Sequence, residues 1–138
     1  MIDMVAVRAH IASEITSRLG GLLADPPDVL PRGVDGPFAP PVVVLGQPDV
    51  EFDVEPCLDK WTLSVAVVVR VDPGGMTATQ TQLEELWPAV ATAVREMCSD
   101  DQSLGGLVAS ARALSADFGD FKVGSQTFPA QAIQLEIY

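Results

Sequence analysis

The segment from Trp61 to Met97 constrains the fold of this 138-residue chain more than any other, because it joins a long strand directly to a long helix. Hydrophobic residues recur at every second position of the strand and form one face: Trp61, Leu63, Val65, Val67, Val69 and Val71. The opposite face is mixed in polarity, as suits partial cover: Thr62, Ser64, Ala66, Val68 and Arg70. Asp72-Pro73-Gly74-Gly75 then predicts a turn.

Hydrophobic spacing changes after this turn to that of an amphipathic helix, with one stripe formed by Leu83, Leu86, Val90, Val94 and Met97. Two pairs fit a capping box at its start, Thr81 with Glu84 or Thr79 with Gln82. Pro88 removes a backbone hydrogen bond and predicts a kink. A largely apolar strand followed by a one-sided helix predicts a sheet covered by helices. The unit offers no nucleophile, base or set of metal ligands.

The N-terminal segment predicts another amphipathic helix, from about Asp3 to Leu23. Its apolar stripe consists of Val7, Ile11, Ile15, Leu19 and Leu22. Asp25-Pro26-Pro27 ends this helix and opens a Pro-rich loop over about residues 25–41, which fits neither regular helix nor central strand. A loop of this length in a small domain is usually functional, disordered or packed across a neighbour.

An acidic strand follows the short apolar strand Val42–Leu45. Val50, Phe52 and Val54 are predicted to face inward, and the outer face consists of Asp49, Glu51, Asp53 and Glu55. Same-face side chains lie roughly 7 Å apart, too far for neighbours to share one calcium ion tightly without help from another chain. The row fits a solvated edge strand, where charge discourages aggregation. It also fits a subunit contact or a channel wall that repels DNA.

Two further strands close the chain, Leu107–Asp117 and Ile133–Tyr138, with turns predicted at Gly119 and Gly124. Asp117-Phe118-Gly119 matches a kinase metal-binding string by letters alone. We interpret it as a strand-ending turn, because the other kinase motifs do not accompany it.

The elements together predict one α+β domain over residues 1–138, with a mostly antiparallel β-sheet and two α-helices packed on one face. Nineteen acidic residues against eight basic ones give a formal charge of −11. This balance argues against nucleic-acid binding by counterion release, which needs clustered Lys and Arg. Residues 1–10 lack the apolar segment of a signal peptide, and Val65–Val69 is too short to cross a bilayer, so no membrane partner is expected.

Candidate catalytic groups are few. His10 is the single histidine, and a dyad with Cys57 or Cys98 would need a proximity that sequence does not show. A surface or boundary position on the first helix also explains His10. The cysteines have no metal-binding spacing and fit free thiols in a reducing cytoplasm, or a disulfide. No catalytic residue, metal site or cofactor is predicted.

The candidate contact residues are the acidic row together with one aromatic and one basic residue of the long strand. Trp61 fits a core or interface anchor, as does Trp87, and Arg70 lies on the mixed face, where a subunit or partner contact is expected. The set is Asp49, Glu51, Asp53, Glu55, Trp61 and Arg70.

The order of these elements resembles the tail terminator proteins of long-tailed bacteriophages over nearly the whole chain. The likeness rests on order and spacing in six passages: Pro41–Gly46, Trp61–Val71 with its Asp72–Gly75 turn, Leu83–Met97, Leu107–Ala116, Val123-Gly124-Ser125 and Ile133–Tyr138. The long Pro-rich loop and Pro88 depart from the family pattern.

The resemblance implies a structural virion protein at the head–tail joint, assembled in the host cytoplasm. Proteins of this family form a homo-oligomeric ring, commonly a hexamer, that caps the tail tube and ends its polymerisation. The implied partners are the tail-tube protein, the head-side connector or stopper protein and further copies of the chain. Genome DNA passes through the ring without specific binding. The family has no catalytic residues, and no cofactor is implied.

Other functions fit the same residues. A different neck component, such as a stopper, adaptor or tail-completion protein, is the nearest alternative. A small cytosolic ligand-binding or hydrolytic α+β domain that uses His10 with a cysteine belongs to another class. A cytosolic interaction module is a third.

Overall fold

A twisted β-sheet carries both helices on one of its faces. The computed structural model describes residues 2–32 and 39–138. Along the chain, its elements are α1 (Met4–Leu22), β1 (Asp28–Leu30), β2 (Val42–Leu45), β3 (Asp49–Glu55), β4 (Leu58–Val68), α2 (Met76–Asp100), β5 (Ala111–Val123) and β6 (Gln126–Ile137).

Strand β4 is the organising strand of the sheet. Strands run in the order β1-β2-β4-β6-β5, and β3 also pairs with β4, beside its N-terminal half. Every pairing is antiparallel except that of β1 with β2. The predicted α+β fold, with a mostly antiparallel sheet under two helices, is confirmed. The sheet therefore has β3 and β1 towards one end and β5 at the other.

The main hydrophobic core lies between the helices and the face of the sheet that we call the helix face. Helix α1 contributes Val7, Ile11, Ile15 and Leu19, as its stripe predicts, but Leu22 is exposed because the helix ends there. Helix α2 contributes Leu83, Val90, Val94 and Met97. The sheet supplies alternate residues of its central strands: Leu63, Val65, Val67, Ile133, Leu135 and Ile137.

A second, smaller cluster occupies part of the opposite face of the sheet, called here the open face. Its buried members are Val42, Val44, Ala66, Val68 and Ala130. Leu30, Phe121 and Phe128 pack against them. The open face is thus apolar near β2, whereas Thr62 and Ser64 farther along β4 remain half-buried and polar. The mixed face of the long strand is covered in part, which agrees with its composition.

The start of α2 differs from the predicted capping boxes. The helix begins at Met76 after Gly75, whose φ of 100° places it outside the helix, and no side chain caps it. Thr79 and Thr81 therefore lie inside the helix. The Thr79 hydroxyl accepts a hydrogen bond from the Asp72 N–H at 2.8 Å and donates one to the Gly75 carbonyl at 2.9 Å. A buried threonine thus joins the helix to the preceding turn.

Replacing Thr79 with valine should lower the free energy of unfolding by about 1–2 kcal/mol, because the Asp72 N–H loses its acceptor while the shape of the side chain is kept. Thr81→Val is the matched control, since Thr81 is exposed and only donates to the Thr77 carbonyl of its own helix. Urea denaturation followed by circular dichroism measures both. Equal losses in the two variants would contradict a role for Thr79 in holding the turn.

Strands β5 and β6 extend beyond their predicted bounds. Residues 107–110, predicted as strand, belong to a turn-rich segment that follows α2, and β5 begins only at Ala111. It then continues through Asp117-Phe118-Gly119 to Val123, so neither this string nor Gly119 forms a turn. The long partner β6 holds these residues in register, with Gly119 opposite Ala130. Gly124, with φ of 60°, forms the predicted turn.

The Pro-rich loop contains one short element that sequence reasoning missed. Strand β1 pairs in parallel with β2 at the edge of the sheet. It is therefore an edge strand, which agrees with the prediction that this loop forms no central strand. Residues 33–38 of the predicted loop lie outside the described residues. Helix α2 continues through Pro88 to Asp100.

Candidate interaction surfaces

The acidic strand forms an exposed arm at one end of the sheet, which we call the β3 arm (Asp49–Glu55). Its four carboxylate residues are all exposed, as predicted. Asp49 lies opposite Thr62 and Glu51 opposite Lys60, on the open face. The pairing then shifts, so that Glu55 lies opposite Leu58. The four-residue advance from Glu51 to Glu55 on β3 thus spans only two residues of β4. The carboxylates therefore do not form the regular row that alternation predicts.

The irregular pairing turns Phe52 outward. Asp53 has φ of 52°, in the left-handed region, and its N–H donates a hydrogen bond to a carboxylate oxygen of Asp59 at 3.1 Å. Phe52, predicted to face inward, is 63% exposed. The inward position was wrong because strict period-two alternation fails at a bulge. The β3 arm therefore presents an aromatic side chain among carboxylates.

The other two candidate contact residues lie outside the β3 arm, although Trp61 pairs with Val50 of the arm. Trp61 points to the helix face, where it is half-buried against the main core. Arg70 is exposed beyond the C-terminal end of β4. Nine residues of extended chain separate the two by about 30 Å. The six predicted residues therefore do not form one site, and only the four carboxylates share an element.

A polar cluster on the open face surrounds the buried carboxylate of Glu136, whose side chain is 5% exposed. Arg112 approaches one of its oxygens at 3.2 Å and Lys60 approaches the other at 4.0 Å. The Tyr138 hydroxyl donates a hydrogen bond to the same carboxylate. This bond and the neighbouring cations lower the pKa of Glu136, and the bond raises the pKa of Tyr138. The cluster ties β4, β5 and β6 together.

Replacing Glu136 with glutamine should lower the free energy of unfolding by about 1–2 kcal/mol at neutral pH, since Arg112 is largely exposed and can rehydrate. Folding lowers the Glu136 pKa below its ordinary value of 4.5. Its stabilising contribution is therefore complete above pH 4.5 and is lost as the pH falls through the folded-state pKa.

The difference in unfolding free energy between wild type and Glu136→Gln should accordingly shrink below pH 4.5. Urea denaturation at a series of pH values measures this difference. Glu85→Gln, an exposed glutamate of α2, is the control and should change stability by less than about 0.5 kcal/mol. A difference that stays constant down to pH 3 would contradict the assignment.

A groove runs along the helix face between α2 and β5, at the opposite end of the sheet from the β3 arm. We call it the α2–β5 groove. One part, of about 400 Å³, is lined by the apolar residues Leu83, Trp87, Pro88 and Phe118 and by the polar residues Gln80, Glu84 and Gln131. The adjoining part, of about 340 Å³, shares Trp87 and reaches Arg95. Phe118 is 54% exposed. Strand β5 has no partner on its outer side within the described residues.

Sequence reasoning singled out Trp87 as an anchor but missed the groove. The groove depends on the true position of β5, because Phe118 lines it only when Asp117-Phe118-Gly119 is strand rather than turn. Glu136 and its partners were missed as well. Lys60, Arg112 and Glu136 lie on three separate strands and give no local pattern.

His10 and the cysteines occupy separate surroundings. The His10 ring lies against Gly105, in the turns after α2. Cys57 is an exposed free thiol in the β3–β4 turn, and Cys98 is a buried one on α2, where desolvation raises its thiol pKa. Such burial makes a thiol less reactive. Residues 2–32 and 39–138 contain no hydrogen bond between His10 and either cysteine and no cluster suited to a metal ion.

No family model fits the chain, and no curated protein matches it significantly. Neither helix in the described part of the chain is long and apolar enough to span a membrane.

Proposed function

We propose that the chain is a phage tail terminator, a structural protein that assembles into a homo-oligomeric ring on the end of the tail tube. The observation that carries this proposal is the pair of unlike surfaces at opposite ends of the sheet. One end presents the acidic β3 arm with Phe52, and the other presents the apolar α2–β5 groove. Unlike surfaces on one molecule support head-to-tail contacts, which close into a ring when the rotation between copies fits.

Two further features support the ring. The order of elements resembles that of tail terminators over nearly the whole chain, and the structure has the α+β fold that this resemblance implies. The net charge of −11 suits a wall around passing DNA, since like charge repels the phosphate backbone. In the proposed joint, the ring contacts the tail-tube protein on one side and the head-side connector or stopper on the other.

The proposal is tested with the purified chain and the tail-tube protein that we propose as its partner. Sedimentation velocity measures the size of the chain alone, and negative-stain imaging follows tube growth with and without the chain. We expect a ring at the tube end and shorter tubes as the amount of chain increases. Tube protein alone is the control. A monomer that neither caps tubes nor co-purifies with virions contradicts the proposal, and a ring that binds only the head side identifies another neck component.

A further inference from the structure

The exposure of Phe52 needs an explanation, because an aromatic side chain in the middle of an acidic arm gains nothing from water. Its outward position is held by the left-handed backbone at Asp53 and by the hydrogen bond from the Asp53 N–H to Asp59. An aromatic side chain with few rotatable bonds loses little entropy on docking and is common among residues that dominate binding energy.

The α2–β5 groove has the complementary properties. Its apolar part lies between Trp87 and Phe118, with about 400 Å³ of space. The exposed guanidinium of Arg95, farther along α2, lines the adjoining part. Arg95 has no ion-pair partner within the described residues. The groove also carries one carboxylate, Glu84, which lies eleven helical residues from Arg95, about 16 Å along α2. The unpaired cation therefore favours an occupant with an apolar anchor and with acidic groups at the Arg95 end only.

We propose that the β3 arm of one copy docks in the α2–β5 groove of the next, with Phe52 between Trp87 and Phe118 and the carboxylates of the arm beside Arg95. Trp87 and Arg95 are eight helical residues apart, about 12 Å. Asp49 and Glu55 each lie three residues from Phe52, up to about 10 Å along an extended chain. The aromatic and acidic groups of the arm are thus spaced to meet both parts of the groove.

The arm cannot reach the groove of its own chain, so the proposed contact requires a second copy. Strands β4 and β6 lie between β3 and β5, so about 15 Å of sheet separates the two ends. The contact is also between unlike surfaces, so each copy keeps a free arm and a free groove until the ring closes. This inference rests on the proposed ring and specifies its subunit interface.

Two variants that disable opposite sides of the interface test this contact. Phe52→Ser removes the anchor and leaves the groove intact, and Arg95→Glu places a carboxylate in the groove and leaves the arm intact. Both positions are exposed, so the fold should persist, as circular dichroism can verify. Val71→Ser is the matched control, because Val71 is 65% exposed and lies outside both surfaces. Sedimentation velocity is measured at concentrations where the wild-type chain forms its ring.

Each variant alone should remain monomeric, with subunit association weakened about 30-fold or more, while Val71→Ser assembles as the wild type does. An equimolar mixture should give a 1:1 dimer, in which the intact Arg95 groove of one variant binds the intact Phe52 arm of the other. Rings formed by Phe52→Ser would overturn this interface and leave the proposed ring standing. A wild-type chain that stays monomeric, alone and on tail tubes, would overturn both.

Discussion

Replacing Leu135 with alanine should lower the free energy of unfolding by about 2–5 kcal/mol, one of the two largest effects that we expect from a single substitution. Leu135 is fully buried on β6. It lies between Leu63 of β4 and Ala113 of β5, on the helix face. The shorter side chain loses apolar burial and leaves a cavity beneath two helices that are fixed by many other contacts, so the site can collapse only in part.

The control for this substitution is Leu114→Ala. Leu114 is exposed near the irregularity in the pairing of β5 with β6, and its truncation should change the unfolding free energy by less than about 0.5 kcal/mol. Urea denaturation followed by tryptophan fluorescence and circular dichroism compares the two variants. Similar losses would contradict the placement of Leu135 beneath the helices and of Leu114 at the surface.

The position of Leu135 illustrates which parts of the fold sequence can predict. Burial of one face repeats at 3.6 residues in a helix and at two in a strand, so α1, α2, β4 and the end of β6 carry a local signal. Strand β5 carries little local signal, because many of its residues are alanine, serine or glycine. Its bounds are set by twelve paired positions on β6, and such long-range pairing has no local pattern.

The candidate surfaces likewise divide into features with a local sequence signal and features that depend on distant segments. Alternation identified the four carboxylates of the β3 arm, because they share one element. It failed at Phe52, since the bulge depends on a hydrogen bond from Asp53 to Asp59 across the β3–β4 hairpin. It could not find the α2–β5 groove, which two distant segments form together. Trp61 and Arg70 were plausible contacts by residue type, but the fold places them at different ends of β4.

Replacing Pro88 with alanine should raise the free energy of unfolding by about 1–3 kcal/mol, the other large effect that we expect. Pro88 lies in the interior of α2, which continues to Asp100. It has no N–H to donate to the Glu84 carbonyl one turn earlier, and its ring crowds that carbonyl. Alanine restores the hydrogen bond, and because Pro88 is exposed, no core packing is lost.

Thermal and urea denaturation measure this gain, with Thr92→Ala as the control. Thr92 is an exposed residue of the same helix, and its replacement should add only a few tenths of a kcal/mol through helix propensity. A loss of stability in Pro88→Ala would contradict the expectation and would mean that the proline fits the helix better than its missing hydrogen bond suggests.

The location of Pro88 links its effect on stability to the proposed subunit contact. Pro88 borders the apolar part of the α2–β5 groove, beside Leu83 and Trp87. A residue that costs helix stability is expected where the local shape serves binding, since proteins tend to depart from the most stable choice at functional sites. We therefore expect Pro88→Ala to be more stable than the wild type yet weaker in the ring assembly that we propose, whereas Thr92→Ala should assemble as the wild type does. Unchanged assembly in Pro88→Ala would remove the proline from the interface and leave Phe52, Trp87 and Arg95 to define it.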